Sequence, residues 1–293
     1  MAAQVIDGKI IAAQIKEKLQ AEIAALKAAG TTPHLATILI GSNAGAKVYA
    51  ESQAKTSQSI GIEHSLIVMN DNITQKDLEK KIVELNNNPA ICGIMLSMPL
   101  PKGFDAGAMQ NLIAPAKDVE GVGAANMGAV MQGDFSLAPC TAAAAHACIH
   151  SQKLIPVRGA EVVIVGRSAI VGKPLAMMLV WDHATVTMCH TATKDMIAHC
   201  KKADILVAAA GKANLVTAEF VKPGAIVIDV GINKANVTGT DGQTKSKTVG
   251  DVDYESAASV ASMITPVPGG VGPVTVAMLL KNTVEAAKKN KKS

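Results

Sequence analysis

Residues 264–275 read Ile-Thr-Pro-Val-Pro-Gly-Gly-Val-Gly-Pro-Val-Thr, with three prolines and three glycines in twelve positions directly ahead of a helical pattern. Proline fixes φ and carries no N–H, whereas glycine opens φ > 0 and lets a ligand approach the main chain. Two readings fit: a rigid turn before a last helix, or a ligand-binding loop whose N–H groups line up at a helix N-terminus. A second segment, Val162-Val-Ile-Val-Gly-Arg-Ser-Ala-Ile-Val-Gly-Lys-Pro174, reads as a buried strand, a turn opened by Gly166, and a helix in which Gly172 permits close packing. A strand–Gly–helix unit binds phosphate because the first helical N–H groups and the helix dipole point at the anion. Ser168 stands where the G-x-G-x-x-G fingerprint has its second glycine, so a plain βα connection also fits.

The next strand ends His190-Thr191-Ala192-Thr193-Lys194, with no acid before Asp195. An NAD site usually places a carboxylate there for the ribose hydroxyls. Its absence, with Arg167 in the turn, suits a 2′-phosphate and favours NADP over NAD. Arg167 could equally be a surface residue paired with Asp182.

The elements that must position these segments alternate along the chain. Ile11, Ile15, Leu19, Ile23 and Leu26 recur at helical spacing over 9–29, with Gly30 at the C-cap position. Strand patterns follow at 35–40, 62–69 and 91–96, separated by a helix over 44–60 and another opened by the capping box of Thr74 and Asp77. A second series starts at Glu161, with strands expected at 162–165, 185–189, 205–209 and 225–229, and a final helix over 274–289. This βα alternation predicts an α/β fold with mostly parallel sheets. The Ala-rich run 141–149 reads as a connector. It places one domain at 1–145, rejoined by the final helix 274–293, and a second at 146–273.

The 293 residues carry a net charge of +4 and only 2% aromatics, which argues against a stacking platform for single-stranded nucleic acid. Five scattered cysteines show no C-x-x-C pair, so neither zinc nor a disulfide framework is indicated, and no metal is expected. No apolar run approaches the ~18 residues of a membrane span. A soluble cytoplasmic protein is the expectation.

Taken together, Gly166-Arg-Ser-Ala-Ile-Val-Gly-Lys-Pro174, Asp229-Val-Gly-Ile-Asn233, Val249-Gly-Asp-Val252 and Thr265-Pro-Val-Pro-Gly-Gly-Val-Gly-Pro273 resemble the methylenetetrahydrofolate dehydrogenase/cyclohydrolase (FolD-like) family across essentially the whole chain. The resemblance implies an N-terminal catalytic domain, a C-terminal Rossmann-type NAD(P)-binding domain, a cleft between them and a homodimer. It implies oxidation of 5,10-methylenetetrahydrofolate with NADP, usually followed by hydrolysis of the methenyl product. Gly166, Arg167, Ser168, Thr191 and Ile232 would contact the cofactor. The loop bearing Pro268, Gly269, Gly270 and Val271 would cover folate near the nicotinamide, and Leu96, Met98 and Pro99 would join the folate site.

The family assigns the proton transfers of hydrolysis to the lysine of a Tyr-x-x-x-Lys motif, with a glutamine and an aspartate tuning it and holding the pterin. This chain reads Tyr49-Ala-Glu-Ser-Gln53, so an amide stands at the lysine position; Gln-Leu-Pro becomes Ser97-Met98-Pro99, and Lys-Asp-Val-Asp-Gly becomes Lys117-Asp118-Val119-Glu120-Gly121. An amide has no proton to exchange near neutrality. Two positions along a helix turn a side chain by about 200°, so neither Lys55 nor Glu51 replaces the lysine. The expectation is a dehydrogenase with a weak or lost cyclohydrolase step. The alternatives are an intact bifunctional enzyme in which another group or water does the lysine's work, a dehydrogenase for a different pterin one-carbon carrier, and a silent NADP-binding protein.

Overall fold

The computed structural model describes residues 3–41, 44–238 and 244–290, with side chains at all of these except 44–49, 236–238 and 244–245. In chain order the elements are β1 (Gln4–Val5), α1 (Gly8–Ala28), β2 (His34–Ile40), α2 (Ala44–Ser59), β3 (Glu63–Met69), α3 (Gln75–Asn87), β4 (Gly93–Leu96), α4 (Ala106–Leu112), α5 (Ala124–Met131), α6 (Cys140–Ser151), β5 (Glu161–Val165), α7 (Gly172–Trp181), β6 (Thr185–Cys189), α8 (Met196–Cys200), β7 (Ile205–Ala208), a 3-10 turn (Ala218–Phe220), β8 (Ile226–Asp229), β9 (Asn233–Thr238), β10 (Thr244–Val249), α9 (Tyr254–Ala258), β11 (Met263–Ile264) and α10 (Val271–Asn290). They divide into two compact units, one of residues 13–140 and 276–293, the other of 1–12 and 141–275.

In the first unit β2 is the central strand of a parallel sheet ordered β3-β2-β4. Leu78, Ile82 and Leu85 on one face of α3 pack with Ala36, Ile38, Ile94 and Leu96 of the sheet. The α3 capping box forms as its sequence predicts: Thr74 Oγ1 accepts the Asp77 N–H, and Asp77 accepts the Thr74 N–H at 3.0 Å. The C-terminal helix returns to this unit, where Lys288 of α10 pairs with Glu22 of α1 at 2.8 Å and Asn282 donates to the Val119 and Ala138 carbonyls.

The second unit has a six-stranded sheet among the described residues, ordered β1-β11-β8-β7-β5-β6 with every pairing parallel. Its central strands β5, β7 and β8 are mostly apolar and buried, as a sheet covered on both faces requires, whereas the edge strands β6 and β1 are more exposed. The chain leaves β5 for β6 on one side and returns past it to β7 on the other. That reversal puts a topological switch point at the carboxyl ends of β5 and β7, where doubly wound sheets bind ligands.

Three boundaries differ from the sequence reading. Residues 1–12 group with the second sheet rather than with the domain expected over 1–145, because Gln4 and Val5 pair with Met263 and Ile264. The last helix starts at Val271, not 274, since glycine and proline are tolerated in a first turn that needs few intrahelical N–H donors. The Ala-rich connector is a buried helix, α6, with Ala142, Ala144, Ala145 and Cys148 inaccessible. Among the described residues no helix is long and apolar enough to cross a membrane.

Candidate functional site

In the first unit, α2 turns Gln53 and Ser57 inward and leaves Glu51 and Lys55 exposed, as the 100° step of a helix dictates. Gln53 is 5% exposed, and among the described residues its Oε1 has no hydrogen-bond partner. An unpaired buried acceptor costs about 1–3 kcal/mol. Tyr49 lies in α2, and its side chain falls outside the described residues.

Leu96 ends β4, followed by half-buried Ser97 and exposed Met98 and Pro99, which are joined by a cis peptide bond. The Ser97 N–H donates to Ile38 at 2.8 Å, so the segment leaves the sheet at the carboxyl end of its central strand. Ile94 bridges Asp118 in parallel, and this register carries Leu96 beside Glu120. Glu120 therefore stands at the same sheet end as Ser97. Burial and the neighbouring Asp118 carboxylate push its pKa up to about 7, against a hydrogen bond from the Leu96 backbone.

The flanking residues are anchors. Asp118 is 1% exposed and accepts the Gly121 and Gly123 N–H groups and the Asn126 amide, at 3.0, 2.8 and 3.1 Å. Lys117 Nζ donates to the carbonyls of Leu85, Asn86 and Asn88 at 3.0, 2.8 and 2.7 Å, closing the C-terminus of α3. A cation there also complements the helix dipole. Burial lowers the Lys117 pKa.

In the second unit, Gly166 follows β5 with φ +131, and a Cβ on it would lie 2.0 Å from the Ala209 carbonyl oxygen after β7. A Cβ on Gly172 would lie 2.3 Å from the Gly166 oxygen. The turn at the switch point is thus closed to side chains on its inner side, while Arg167 and Ser168 are exposed. Ser168 Oγ accepts the Val171 N–H at 3.2 Å at the start of α7. Asp182 does not pair with Arg167: it caps the far end of α7, where His146 and His150 contact it. Thr191 is exposed after β6, and Asp195 caps α8 by accepting the Ala198 N–H at 3.2 Å.

Ile232 and the segment Pro268–Gly269–Gly270–Val271 line one cavity of about 220 Å³, together with Lys9 and Gly231. Beneath it the Asp229-Val-Gly-Ile-Asn233 and Val249-Gly-Asp-Val252 segments lock into each other. Asp229 accepts the N–H groups of Gly231, Asp251 and Val252; Asp251 accepts those of Gly211 and the Asn233 amide. Burial, partly opposed by these N–H donors, pushes the Asp229 pKa up to about 6. Thr265 Oγ1 accepts the Asp229 N–H at 2.7 Å, which ties the Pro/Gly loop to the same lattice.

Sequence reasoning missed Lys9 and Gly8. The Gly8 N–H donates to the Gly269 carbonyl at 3.0 Å, and a Cβ on Gly8 would collide with Gly270. No local pattern announces this approach, which depends on the two-residue pairing of β1 with β11.

Residues 6–120 match the family described as tetrahydrofolate dehydrogenase/cyclohydrolase, catalytic domain, and residues 139–291 match its NAD(P)-binding domain. The chain is 45% identical over 289 residues to the bifunctional protein FolD of Moorella thermoacetica, covering 99% of this chain and all of that one. The bifunctional FolD of Campylobacter jejuni superposes with a TM-score of 0.90 at 40% identity, covering 98% of this chain and 99% of that one. A Trypanosoma brucei methylenetetrahydrofolate dehydrogenase-cyclohydrolase, solved with NADP cofactor and inhibitor, superposes with a TM-score of 0.91 at 36% identity over the full length of both chains.

Proposed function

Because the chain belongs to the tetrahydrofolate dehydrogenase/cyclohydrolase family, we propose that it is an NADP-dependent 5,10-methylenetetrahydrofolate dehydrogenase whose cyclohydrolase step is weak or lost. The second half rests on Gln53, buried on α2 with an acceptor that has no partner among the described residues, together with the motif resemblance that sets it against the family's proton-transferring lysine.

Dehydrogenation asks little of the protein in acid–base terms. The folate nitrogen lone pair forms the new C=N bond as hydride leaves the one-carbon unit, so positioning is most of the task. When bound, the nicotinamide accepts that hydride. Gly166 and Gly172 support a dinucleotide because, with no Cβ to strike the Ala209 and Gly166 carbonyls, the turn closes tightly and can offer its N–H groups at the start of α7 to a pyrophosphate. Arg167 would hold the 2′-phosphate. Asp195, the first acid after β6, is engaged in capping α8. Ile232 and the Pro268–Val271 loop would form an apolar wall that excludes water from the donor carbon.

Hydrolysis is different: water must lose a proton to attack the methenyl carbon, and the departing ring nitrogen must gain one. Gln53 can orient folate by hydrogen bonds and can do neither. Ser97 is too short to reach where the family's glutamine would. A second reading, an intact bifunctional enzyme, draws its support from Glu120, whose carboxyl exchanges its proton near pH 7 and so sits in the range suited to general acid–base work.

Two measurements on one preparation decide between them. Reduction rates with NADP and NAD should favour NADP, and methenyltetrahydrofolate should decay little faster with enzyme than in buffer. Enzyme-dependent decay well above buffer, abolished in Glu120→Gln, would establish the bifunctional reading instead.

A further inference from the structure

At the end of the second unit's sheet remote from the Gly166 turn, three side chains converge on one point. His146 and His150 are one helical turn apart on α6, an i, i+4 spacing that puts both rings on one face. Asp182 closes α7 from the other side as its C-cap residue. His146 Nε2 lies 2.6 Å and His150 Nε2 2.8 Å from the same oxygen, Asp182 Oδ2, and the ring centroids are 4.4 Å apart. The candidate ligand atoms all lie within 4.8 Å of one another. Since α7 spans ten residues, roughly 15 Å, this cluster and the cofactor turn occupy opposite ends of that helix.

We propose that His146, His150 and Asp182 bind one divalent transition-metal ion of the Zn²⁺ class. Two imidazole nitrogens at i, i+4 with one carboxylate oxygen make a three-protein-ligand set of the kind that leaves a fourth position for water. Imidazole donors select Zn²⁺, Co²⁺ or Ni²⁺ over Mg²⁺ and Ca²⁺, which prefer all-oxygen shells. Tetrahedral bonds of about 2.0 Å separate neighbouring donor atoms by roughly 3.3 Å. Admitting the ion therefore needs Asp182 Oδ2 to withdraw by about 0.5–0.7 Å from its present 2.8 and 2.6 Å contacts, and the three donor atoms, now within 4.8 Å of one another, to settle at that spacing. The fourth position opens on a surface depression that His150 and Asp182 share with exposed Lys153 and Arg158, so a water or a small anion can complete the shell. All five cysteines are buried, which removes the usual competitors for added zinc.

The untagged chain, stripped with chelator, is titrated with Zn²⁺ by calorimetry and with Co²⁺ by visible absorption, with Mg²⁺ as the comparison. One equivalent of Zn²⁺ should bind per chain, Co²⁺ should develop the intense ligand-field bands of a four-coordinate site, and Mg²⁺ should do neither. His150→Ala and Asp182→Ala should each weaken Zn²⁺ binding by more than the roughly 10–100-fold typical of outer-shell changes. Half-exposed His150 is the safer substitution for folding, and circular dichroism with dehydrogenase turnover verifies that its variant is intact. Absence of saturable Zn²⁺ and Co²⁺ binding by the wild-type chain, or binding that survives in both variants, overturns the proposal. The turnover readout is separate from metal binding, so this proposal and the dehydrogenase reading stand or fall on different measurements.

Discussion

The carboxylate of Asp229 accepts the backbone N–H of Asp251 at 3.0 Å, so the residue that ends β8 fixes the turn that follows β10. Gly250 passes so close that a Cβ there would lie 1.7 Å from Asp229 Oδ2. Gly250→Ala should therefore cost about 2–4 kcal/mol of stability, through displacement of a buried hydrogen-bonded carboxylate. Urea denaturation checks this; a midpoint equal to wild type would mean that the lattice yields at no cost.

Lys117 carries its charge into α3's C-terminus, where three carbonyls share it. Lys117→Met keeps the stem and removes the donors, leaving those carbonyls without it at a cost of roughly 1–3 kcal/mol. Its dehydrogenase turnover at low temperature should be nearly unchanged. A variant that is stable but inactive would relocate Lys117 from support to chemistry.

Glu120 gives a pH dependence with a definite sign. Its carboxyl ionises near 4.5 when free and at about 7 in the fold, so the folded state holds the proton more tightly. The resulting stabilisation is complete below pH 4.5 and is lost as pH rises through about 7. Glu120→Gln stays neutral throughout. Its melting temperature should match wild type at or below pH 4.5, pull ahead progressively as pH rises to about 7, and hold that lead above it. Parallel melting curves for the two proteins across that range would remove Glu120 from the account.

Arg167 is the test of cofactor choice. Arg167→Ala should raise the KM for NADP by about tenfold or more, the loss of a charge-assisted phosphate contact, and leave that for NAD within about twofold. Equal losses with both cofactors would show that Arg167 supports the turn rather than the 2′-phosphate.

At the folate side, Gln53→Lys alone should add little hydrolysis, since Ser97 leaves the new amine without its tuning partner. Gln53→Lys combined with Ser97→Gln should raise enzyme-dependent decay of methenyltetrahydrofolate by about 10²-fold or more, the scale of a positioned acid–base group. Full recovery in the single variant would make Ser97 irrelevant to proton transfer.

What was legible in the sequence was whatever depends on neighbours a few residues apart. The helical step alone placed Gln53 inside and Glu51 and Lys55 outside, and the Thr74–Asp77 box opened α3 where its pattern begins. The sheets followed from apolar runs and their alternation with helices. The two-residue strand β1 was not legible, because nothing in Gln4–Val5 distinguishes a strand from a tail, and Lys9 reaches the Pro/Gly loop only through that pairing. The antiparallel pair of β9 and β10 escaped for a related reason: the strands, Asn233–Thr238 and Thr244–Val249, are largely polar, and among the described residues each pairs with the other alone. The roles of Asp229 and Asp251 were also invisible as roles, since a motif records which residues occur but not which carboxylate holds which loop.

The turn after β5 divides its residues into two kinds. Gly166 and Gly172 are held by backbone atoms that leave no space for a side chain, whereas Arg167, Ala169 and Ile170 face outward. Exposed substitutions typically alter stability by no more than about 0.5 kcal/mol. Selection for a new cofactor preference can therefore act on the outward positions almost free of any folding constraint. Drift at the two glycines, by contrast, is coupled to the sheet itself, so the turn can change what it recognises while its shape stays inherited.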